Sequence, residues 1–134
     1  MRIKRMSDKK NILVIDDEEA VRRSFELALE DSDFNLVTVD SGEKGVEEVQ
    51  KGYQLVFLDL KMPGMNGVKT LEKIRENFPD LPVYIVTAFH KEFLTELDEV
   101  RKSGLKFQLL RKPIGSVEIQ ALTQSVLDKP VSFS

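Results

Sequence analysis

The ends of four predicted strands carry the side chains best suited to chemistry. Asp59 ends the apolar run YQLVFL (residues 53–58) and is followed at once by the turn-forming segment LKMPGMNG (residues 60–67). A carboxylate between a buried strand and a Pro/Gly turn is held rigidly and faces solvent, as a nucleophilic or metal-binding carboxylate requires. Similar positions at three other predicted strand ends are occupied by Asp16-Asp17, Thr87 and Lys112.

Taken singly, each of these residues also has an ordinary structural explanation. An aspartate after a strand is a common turn residue, and Asp16-Asp17 suits the N-terminus of a following helix. Thr87 fits a strand because it is β-branched, and Lys112 fits a solvated edge. His90, the sole histidine, precedes a predicted helix and is interpreted as an exposed polar residue rather than a phosphoryl carrier.

The elements that must position these side chains form a repeating pattern. Short β-rich segments alternate five times with amphipathic helical patterns, which is typical of a parallel α/β sheet. Several strands are apolar nearly throughout, as expected when helices cover both faces of the sheet. The predicted strands are residues 11–16, 34–40, 53–59, 81–87 and 106–111.

The helices are predicted from apolar residues at helical spacing and from residues that favour helix ends. The first helix is expected to bury Val21, Phe25, Ala28 and Leu29, and the third to bury Val68, Leu71, Ile74 and Phe78. The fourth helix, spanning about residues 91–103, is expected to bury Phe93, Leu97 and Val100. Ser41 and Ser116 are predicted to cap the second and fifth helices, and Gly52 to end the second in a left-handed conformation.

The four strand ends are expected to converge on one rim. In an open parallel α/β sheet the functional crevice lies beyond the carboxyl ends of the strands. In a 2-1-3-4-5 order, which we infer from the fold class, the strands ending at Asp16-Asp17, Asp59, Thr87 and Lys112 are adjacent. Three clustered carboxylates repel one another, and a hard cation with oxygen ligands, Mg²⁺, relieves this repulsion.

A bound cation would favour phosphoryl transfer to Asp59. The cation screens the charge of an incoming phosphoryl group while a carboxylate oxygen attacks it. Thr87 can donate a hydroxyl hydrogen bond to one phosphoryl oxygen, and Lys112 supplies a positive charge for another.

Length and composition limit the class of protein. A chain of 134 residues predicts one domain with a single core, and the absence of cysteine excludes disulfides and thiolate metal sites. No apolar run approaches the ~18 residues of a membrane span, and the start lacks the apolar stretch of a signal peptide. We therefore expect a soluble, cytoplasmic protein without membrane insertion.

Charge is distributed unevenly along the chain. Residues 1–10 carry a net charge of +4, which leaves −7 on the rest. An acidic body without a basic face does not attract phosphate backbones, so direct nucleic-acid binding is not expected. Residues 1–9 are interpreted as a basic N-terminal tail, residues 10–128 as the folded domain and residues 129–134 as a C-terminal tail.

The chain resembles the receiver domain of two-component response regulators over roughly residues 10–128. The residues that carry the resemblance are VIDDE (14–18), LDLKMPG (58–64), VTA (86–88) and RKP (111–113). The resemblance implies a flavodoxin-like (βα)5 fold with strand order 2-1-3-4-5, as in chemotaxis receivers. It also implies a phosphoacceptor domain served by a sensor histidine kinase or a histidine phosphotransfer protein.

The same resemblance assigns a role to each motif residue. Asp59 would be the phosphoacceptor, and Mg²⁺ would be held by Asp17, by Asp16 largely through water, by Asp59 and by the backbone carbonyl of Lys61. Thr87 would be the switch hydroxyl and Lys112 the phosphate partner, with small Ala88 keeping the site open. A cis bond is expected before Pro113. The output surface would be the face of the fourth helix, fifth strand and fifth helix, which would bind a target protein or effector domain.

Two departures from the family pattern concern the output. Leu109 stands where the family often has a Tyr or Phe that rotates inward, and the segment from Gly104 to Lys112 is one residue longer than the commonest pattern. We therefore expect a partial response, or one relayed by Phe107 or Phe89.

Two other function classes are compatible with the fold class. A haloacid-dehalogenase-like phosphatase would place an Asp-x-Asp nucleophile after the first strand, whereas this chain has adjacent acids there and no cap insertion. A flavodoxin-like FMN carrier would have a Ser, Thr and Gly-rich phosphate loop, where residues 16–19 are all acidic. A stand-alone receiver and a fragment of a longer regulator both remain open.

Overall fold

A parallel sheet of five strands organises the protein. The computed structural model describes residues 9–88 and 91–127, apart from the side chain of Glu92. The strands are β1 (Asn11–Ile15), β2 (Asn35–Val39), β3 (Leu55–Asp59), β4 (Val83–Thr87) and β5 (Gln108–Arg111). Their order is β2-β1-β3-β4-β5, and every pairing is parallel, which confirms the predicted topology.

Five α-helices connect and cover the strands, as predicted. They are α1 (Glu19–Leu29), α2 (Gly42–Val49), α3 (Gly67–Asn77), α4 (Leu94–Lys102) and α5 (Ser116–Leu127), and a 3-10 turn (Lys91–Phe93) leads into α4. In the two ranges that the structure covers, no helix is long and apolar enough to cross a membrane.

The core is divided by the sheet, since successive strand residues point to opposite faces. On one face, Leu13 and Ile15 pack with Val56, Leu58 and the apolar residues of α2, α3 and α4. On the other face, Ile12 and Phe57 pack with Phe25 of α1 and Ile119 of α5. Two-sided burial explains why β1 and β3 are nearly continuous apolar runs.

The predicted apolar stripes of the helices face these two clusters. Phe25, Ala28 and Leu29 are buried, and Val21 packs partly buried against the same cluster. The predicted residues of α3 and of the segment leading through α4 are likewise buried, apart from Phe78, which is partly buried.

The predicted helix ends are confirmed at α2 but not at α5. The Ser41 hydroxyl accepts a hydrogen bond from the Lys44 N–H at 3.1 Å, and Gly52 has a φ of 101°. The prediction that Ser116 caps α5 is wrong, because Ser116 is the first helical residue. Gly115 precedes the helix, and the Glu118 carboxylate accepts from its N–H at 3.1 Å, as the third residue of a helix does in a capping box.

Strand register brings the ends of the central strands to the same level. Ile15 pairs with Leu58, so the residues that follow, Asp16 and Asp59, lie side by side at the rim. Asp59 in turn pairs with Val86, the residue before Thr87. The shared polarity of parallel strands therefore gathers these side chains at one end of the sheet.

Candidate functional site

Two buried carboxylates lie at the centre of the rim. The side chains of Asp16 and Asp59 are only 3% and 4% exposed. Asp59 is the last residue of β3, every residue of which is buried, and Asp16 directly follows β1. Burial of two neighbouring carboxylates is costly unless positive charge compensates them.

Lys112 supplies that positive charge. Its ammonium nitrogen lies 3.1 Å from Asp16 Oδ2 and 3.1 Å from Asp59 Oδ1. A third carboxylate oxygen, Glu18 Oε1, lies 3.3 Å away. Lys112 follows the edge strand β5, and its peptide bond to Pro113 is cis.

The pKa values of these groups reflect burial and mutual charge. Burial, with a further contribution from the charge of Asp16, raises the pKa of Asp59 to about 7, although Lys112 opposes the shift. Burial also raises the pKa of Asp16. Burial lowers the pKa of Lys112, but the attraction of Asp16 and Asp59 outweighs it, so the net pKa is raised. The lysine therefore remains charged, while Asp59 is partly protonated near neutral pH, because one ammonium does not fully compensate two buried carboxylates.

The turn after β1 fixes the acidic residues. Asp16 Oδ1 accepts from the Glu18 N–H at 2.9 Å, and the Arg22 guanidinium donates to the Asp16 carbonyl at 2.8 Å. One oxygen of Asp16 thus stabilises the turn before α1, as expected of a residue at a helix start. Its other oxygen contacts Lys112, as expected of a residue in the functional site. Asp17 is exposed beside it, and its carboxylate contributes to the raised pKa of Asp59.

Oxygen ligands for a cation are grouped at this turn. Carboxylate oxygens of Asp16, Asp17 and Glu18 all lie within 4.8 Å of one another. Hard divalent cations prefer carboxylate and carbonyl oxygens, so the chemistry of these donors fits Mg²⁺. The group includes Glu18, which the strand-end argument omitted, and does not include Asp59.

The loop after β3 is held close to Asp59 by α2 and α3. Asn66 caps α3 by accepting from the Lys69 N–H at 2.9 Å, and Glu43 of α2 accepts from the Met65 N–H at 3.3 Å. A Cβ at Gly67 would overlap the Asp59 carbonyl oxygen and the Leu60 Cα. Only glycine therefore allows α3 to begin this close to the strand.

An open cavity of about 500 Å³ lies above the carboxylates. Its floor and walls include Asp17, Glu18, Asp59, Lys61, Met62, Pro63, Ala88 and Lys112. The cavity is therefore lined by residues from the loops after β1, β3, β4 and β5, as predicted for the rim. Asp59 can be reached from solvent through it.

The remaining predicted residues lie at the edge of the site. Thr87 is buried at the end of β4, and Ala88 is exposed. Leu109 is 45% exposed, whereas Phe107 is buried, with the Arg101 guanidinium 4.5 Å above its ring. Phe89 and His90 lie outside the described residues.

Sequence reasoning missed four residues that shape the site: Glu18, Arg22, Glu43 and Gly67. Glu18 could have been found because it directly follows Asp16-Asp17, and Gly67 because it follows Asn66 in an Asn-Gly pair. Arg22 and Glu43 act on backbone atoms of other segments, which no local pattern indicates.

Similar proteins share both sequence and fold. The alginate biosynthesis transcriptional regulatory protein AlgB of Pseudomonas putida is 31% identical over 118 residues, which are 87% of this chain and 26% of that protein. The transcriptional regulatory protein CpxR homolog of Haemophilus influenzae is 29% identical over 126 residues, which are 92% of this chain and 52% of that protein. The chain spans about half or less of the length of such curated relatives.

Solved structures with the same fold include chemotaxis proteins. Chemotaxis protein CheY4 of Vibrio cholerae superimposes with a TM-score of 0.76 at 21% identity, covering 89% of this chain and 99% of that one. A CheY-like response regulator receiver domain protein from Methanospirillum hungatei gives a TM-score of 0.78 at 23% identity, covering 90% and 95%.

The family model of the response regulator receiver domain matches residues 12–124, which contain all four strand ends of the site. This chain therefore belongs to the response regulator receiver domain family, whose members are regulatory phosphoacceptor domains.

Proposed function

We propose that Asp59 is the phosphoacceptor and that the domain catalyses its own phosphorylation and dephosphorylation with Mg²⁺. The observation that carries this proposal is the position of Asp59, a buried carboxylate at a strand end that opens into a cavity and lies 3.1 Å from Lys112. The family relationship supports it, since receiver domains accept phosphoryl groups.

In the proposed reaction an oxygen of Asp59 attacks phosphorus. The bond from phosphorus to the donor breaks, and the leaving group keeps the electron pair. Lys112 holds one phosphoryl oxygen with a charge-assisted hydrogen bond, and the hydroxyl of Thr87 donates to another. Asp17, Asp16, Asp59 and the Lys61 carbonyl would hold Mg²⁺, which supplies charge neutralisation between the carboxylates and the phosphoryl group.

We propose a histidine kinase or a histidine phosphotransfer protein as donor, and a target protein or effector domain as the receiver of the output. Several relatives are named as transcriptional regulatory proteins and are longer than this chain. The proposed output surface is the face of α4, β5 and α5, because Lys112 and Thr87 lie at the ends of the two strands next to it.

The test is phosphorylation by a small donor such as acetyl phosphate with Mg²⁺. Intact-mass analysis should show one labile phosphoryl adduct, which Asp59→Asn abolishes. Asp40→Asn is the matched control, because Asp40 follows β2 at the same end of the sheet but is exposed. An adduct that persists on Asp59→Asn, or that peptide mapping places on His90, contradicts the proposal.

A further inference from the structure

The ammonium group of Lys112 is surrounded by three carboxylates. Its nitrogen lies 3.1 Å from Asp16 Oδ2, 3.1 Å from Asp59 Oδ1 and 3.3 Å from Glu18 Oε1. A lysine ammonium has three N–H donors, so each donor has one carboxylate oxygen within reach. A phosphoryl oxygen on Asp59 can therefore contact Lys112 only if one of these partners is released.

The three partners differ greatly in burial. The side chains of Asp16 and Asp59 are 3% and 4% exposed, whereas that of Glu18 is 62% exposed. Water readily replaces a lysine at an exposed carboxylate, but a buried carboxylate that loses its partner keeps an uncompensated charge. Glu18 is therefore the partner that Lys112 exchanges most easily.

The Glu18 side chain does not cap the helix that it precedes. It occupies the position before α1, yet its side chain makes no capping hydrogen bond. Its backbone N–H is satisfied by Asp16 Oδ1 at 2.9 Å, so the turn does not depend on the Glu18 carboxylate. That carboxylate instead lines the cavity together with Asp59 and Lys112.

We propose that Glu18 is an exchangeable partner of Lys112 that is displaced by the phosphoryl group. In the unphosphorylated domain it occupies the third N–H donor of Lys112, which a phosphoryl oxygen later takes. When the phosphoryl group arrives at Asp59, its oxygen takes the place of Glu18, and the glutamate carboxylate turns toward water and the neighbouring acids. The inference rests on the proposed function and assigns to it a residue outside the strand-end acids.

The direct test observes the Lys112 side chain by NMR, with and without beryllofluoride and Mg²⁺. Glu18→Gln should change the ¹³Cε and ¹⁵Nζ signals of Lys112 in the free domain. With beryllofluoride bound, the Lys112 signals of wild type and Glu18→Gln should coincide, because Glu18 has left in both. A difference that persists in the bound state, or no difference in the free state, overturns the proposal.

Two further variants distinguish the direct contact between Glu18 and Lys112 from a general effect of negative charge. Glu19→Gln removes the same charge one residue later, at an exposed position in the first turn of α1, and should leave the Lys112 signals unchanged. Glu18→Asp keeps the charge but shortens the side chain, and should resemble Glu18→Gln at Lys112. If Glu19→Gln perturbs Lys112 as strongly as Glu18→Gln, the effect is one of general charge and the proposal fails.

Kinetics at saturating Mg²⁺ provide a second readout. Phosphorylation of Glu18→Gln by acetyl phosphate should be about two- to fivefold faster than wild type, the factor expected for loss of one exposed ion pair. If wild type is phosphorylated on Asp59 but Glu18→Gln and Glu19→Gln react at equal rates, this inference fails while the proposed function stands. If Asp59 is not phosphorylated in wild type, the proposed function fails first.

Discussion

The backbone N–H of Lys112 donates to the carbonyl oxygen of Thr87 at 2.8 Å. The two residues proposed to bind the phosphoryl group are therefore joined through the main chain across the β4–β5 pair. We expect a displacement of the Thr87 hydroxyl or the Lys112 ammonium to move the edge strand β5, whose residues are mostly exposed. This connection is the structural basis for the proposed output surface.

Binding of beryllofluoride with Mg²⁺ should shift NMR signals in α4, β5 and α5. Each charge-assisted hydrogen bond contributes roughly 1.5–3 kcal/mol, and a change from 1:99 to 99:1 needs about 5.5 kcal/mol, so two contacts just suffice at the upper end of that range. Leu109 has no ring and is exposed, and Phe107 is fixed beneath Arg101, so we expect a partial shift. Asp59→Asn is the control. Shifts confined to the loops around Asp17 and Asp59 would remove this face as the output surface.

Phosphorylation at limiting Mg²⁺ should depend on pH around neutrality. Burial and the nearby Asp16 raise the pKa of Asp59 to about 7, Asp17 adds to the shift, and Lys112 opposes it. Because only the ionised carboxylate attacks, the rate should rise about tenfold per pH unit below this value and level off above it. The ¹³Cγ signal of Asp59 should titrate with the same midpoint.

Saturating Mg²⁺ should move that midpoint to lower pH, because a cation favours the charged carboxylate. Two donors with different ionisation, acetyl phosphate and phosphoramidate, provide the control. A midpoint that follows the donor rather than the protein would show that Asp59 is already ionised throughout.

Asp17→Asn should weaken Mg²⁺ binding about tenfold or more while the domain remains folded. Asp17 is exposed, and its removal relieves repulsion from Asp16 and Glu18, so the metal-free domain should be at least as stable as wild type. Metal titration followed by NMR measures the affinity, and thermal unfolding in chelator measures the stability. Asp40→Asn is the charge control. If Asp17→Asn bound Mg²⁺ with unchanged affinity, Asp16-Asp17 would serve only to form the turn before α1.

Gly67→Ala should destabilise the domain by about 1–3 kcal/mol, the usual cost of overpacking. The added Cβ would overlap the Asp59 carbonyl and Leu60, so the variant should also phosphorylate more slowly. Gly115→Ala is the matched control, since its Cβ would meet only the Glu118 side chain at an ordinary distance of 3.6 Å. Urea unfolding compares the two. Equal stability of Gly67→Ala and wild type would mean that α3 does not need this close approach.

Thr123→Val should stabilise the domain by about 1 kcal/mol or more, because the buried Thr123 hydroxyl has no hydrogen-bond partner among the described residues. Thr70→Val is the same substitution at an equally buried site, but Thr70 Oγ1 donates to the Asn66 carbonyl at 2.8 Å. It should therefore destabilise by about 1 kcal/mol. The free energies of unfolding should change in opposite directions; changes of the same sign would contradict the assignment.

The sequence alone determined the alternation of strands and helices, the apolar residues of each face and the identity of the strand-end side chains. These features follow from local periodicity, since a buried strand and an amphipathic helix each have a characteristic spacing of apolar residues. The end of β3 at Asp59 and the cap at Ser41 were predictable for the same reason. Parallel strands then place their carboxyl ends together without further information.

Only the tertiary structure decided which charged groups meet and which helix starts are allowed. Lys112 and Glu18 are 94 positions apart in the sequence, yet their side chains are in contact. Gly67 of α3 is required by the backbone of Asp59 and Leu60 at the end of β3. Such contacts depend on distances in three dimensions, which residue types and their spacing along the chain do not specify.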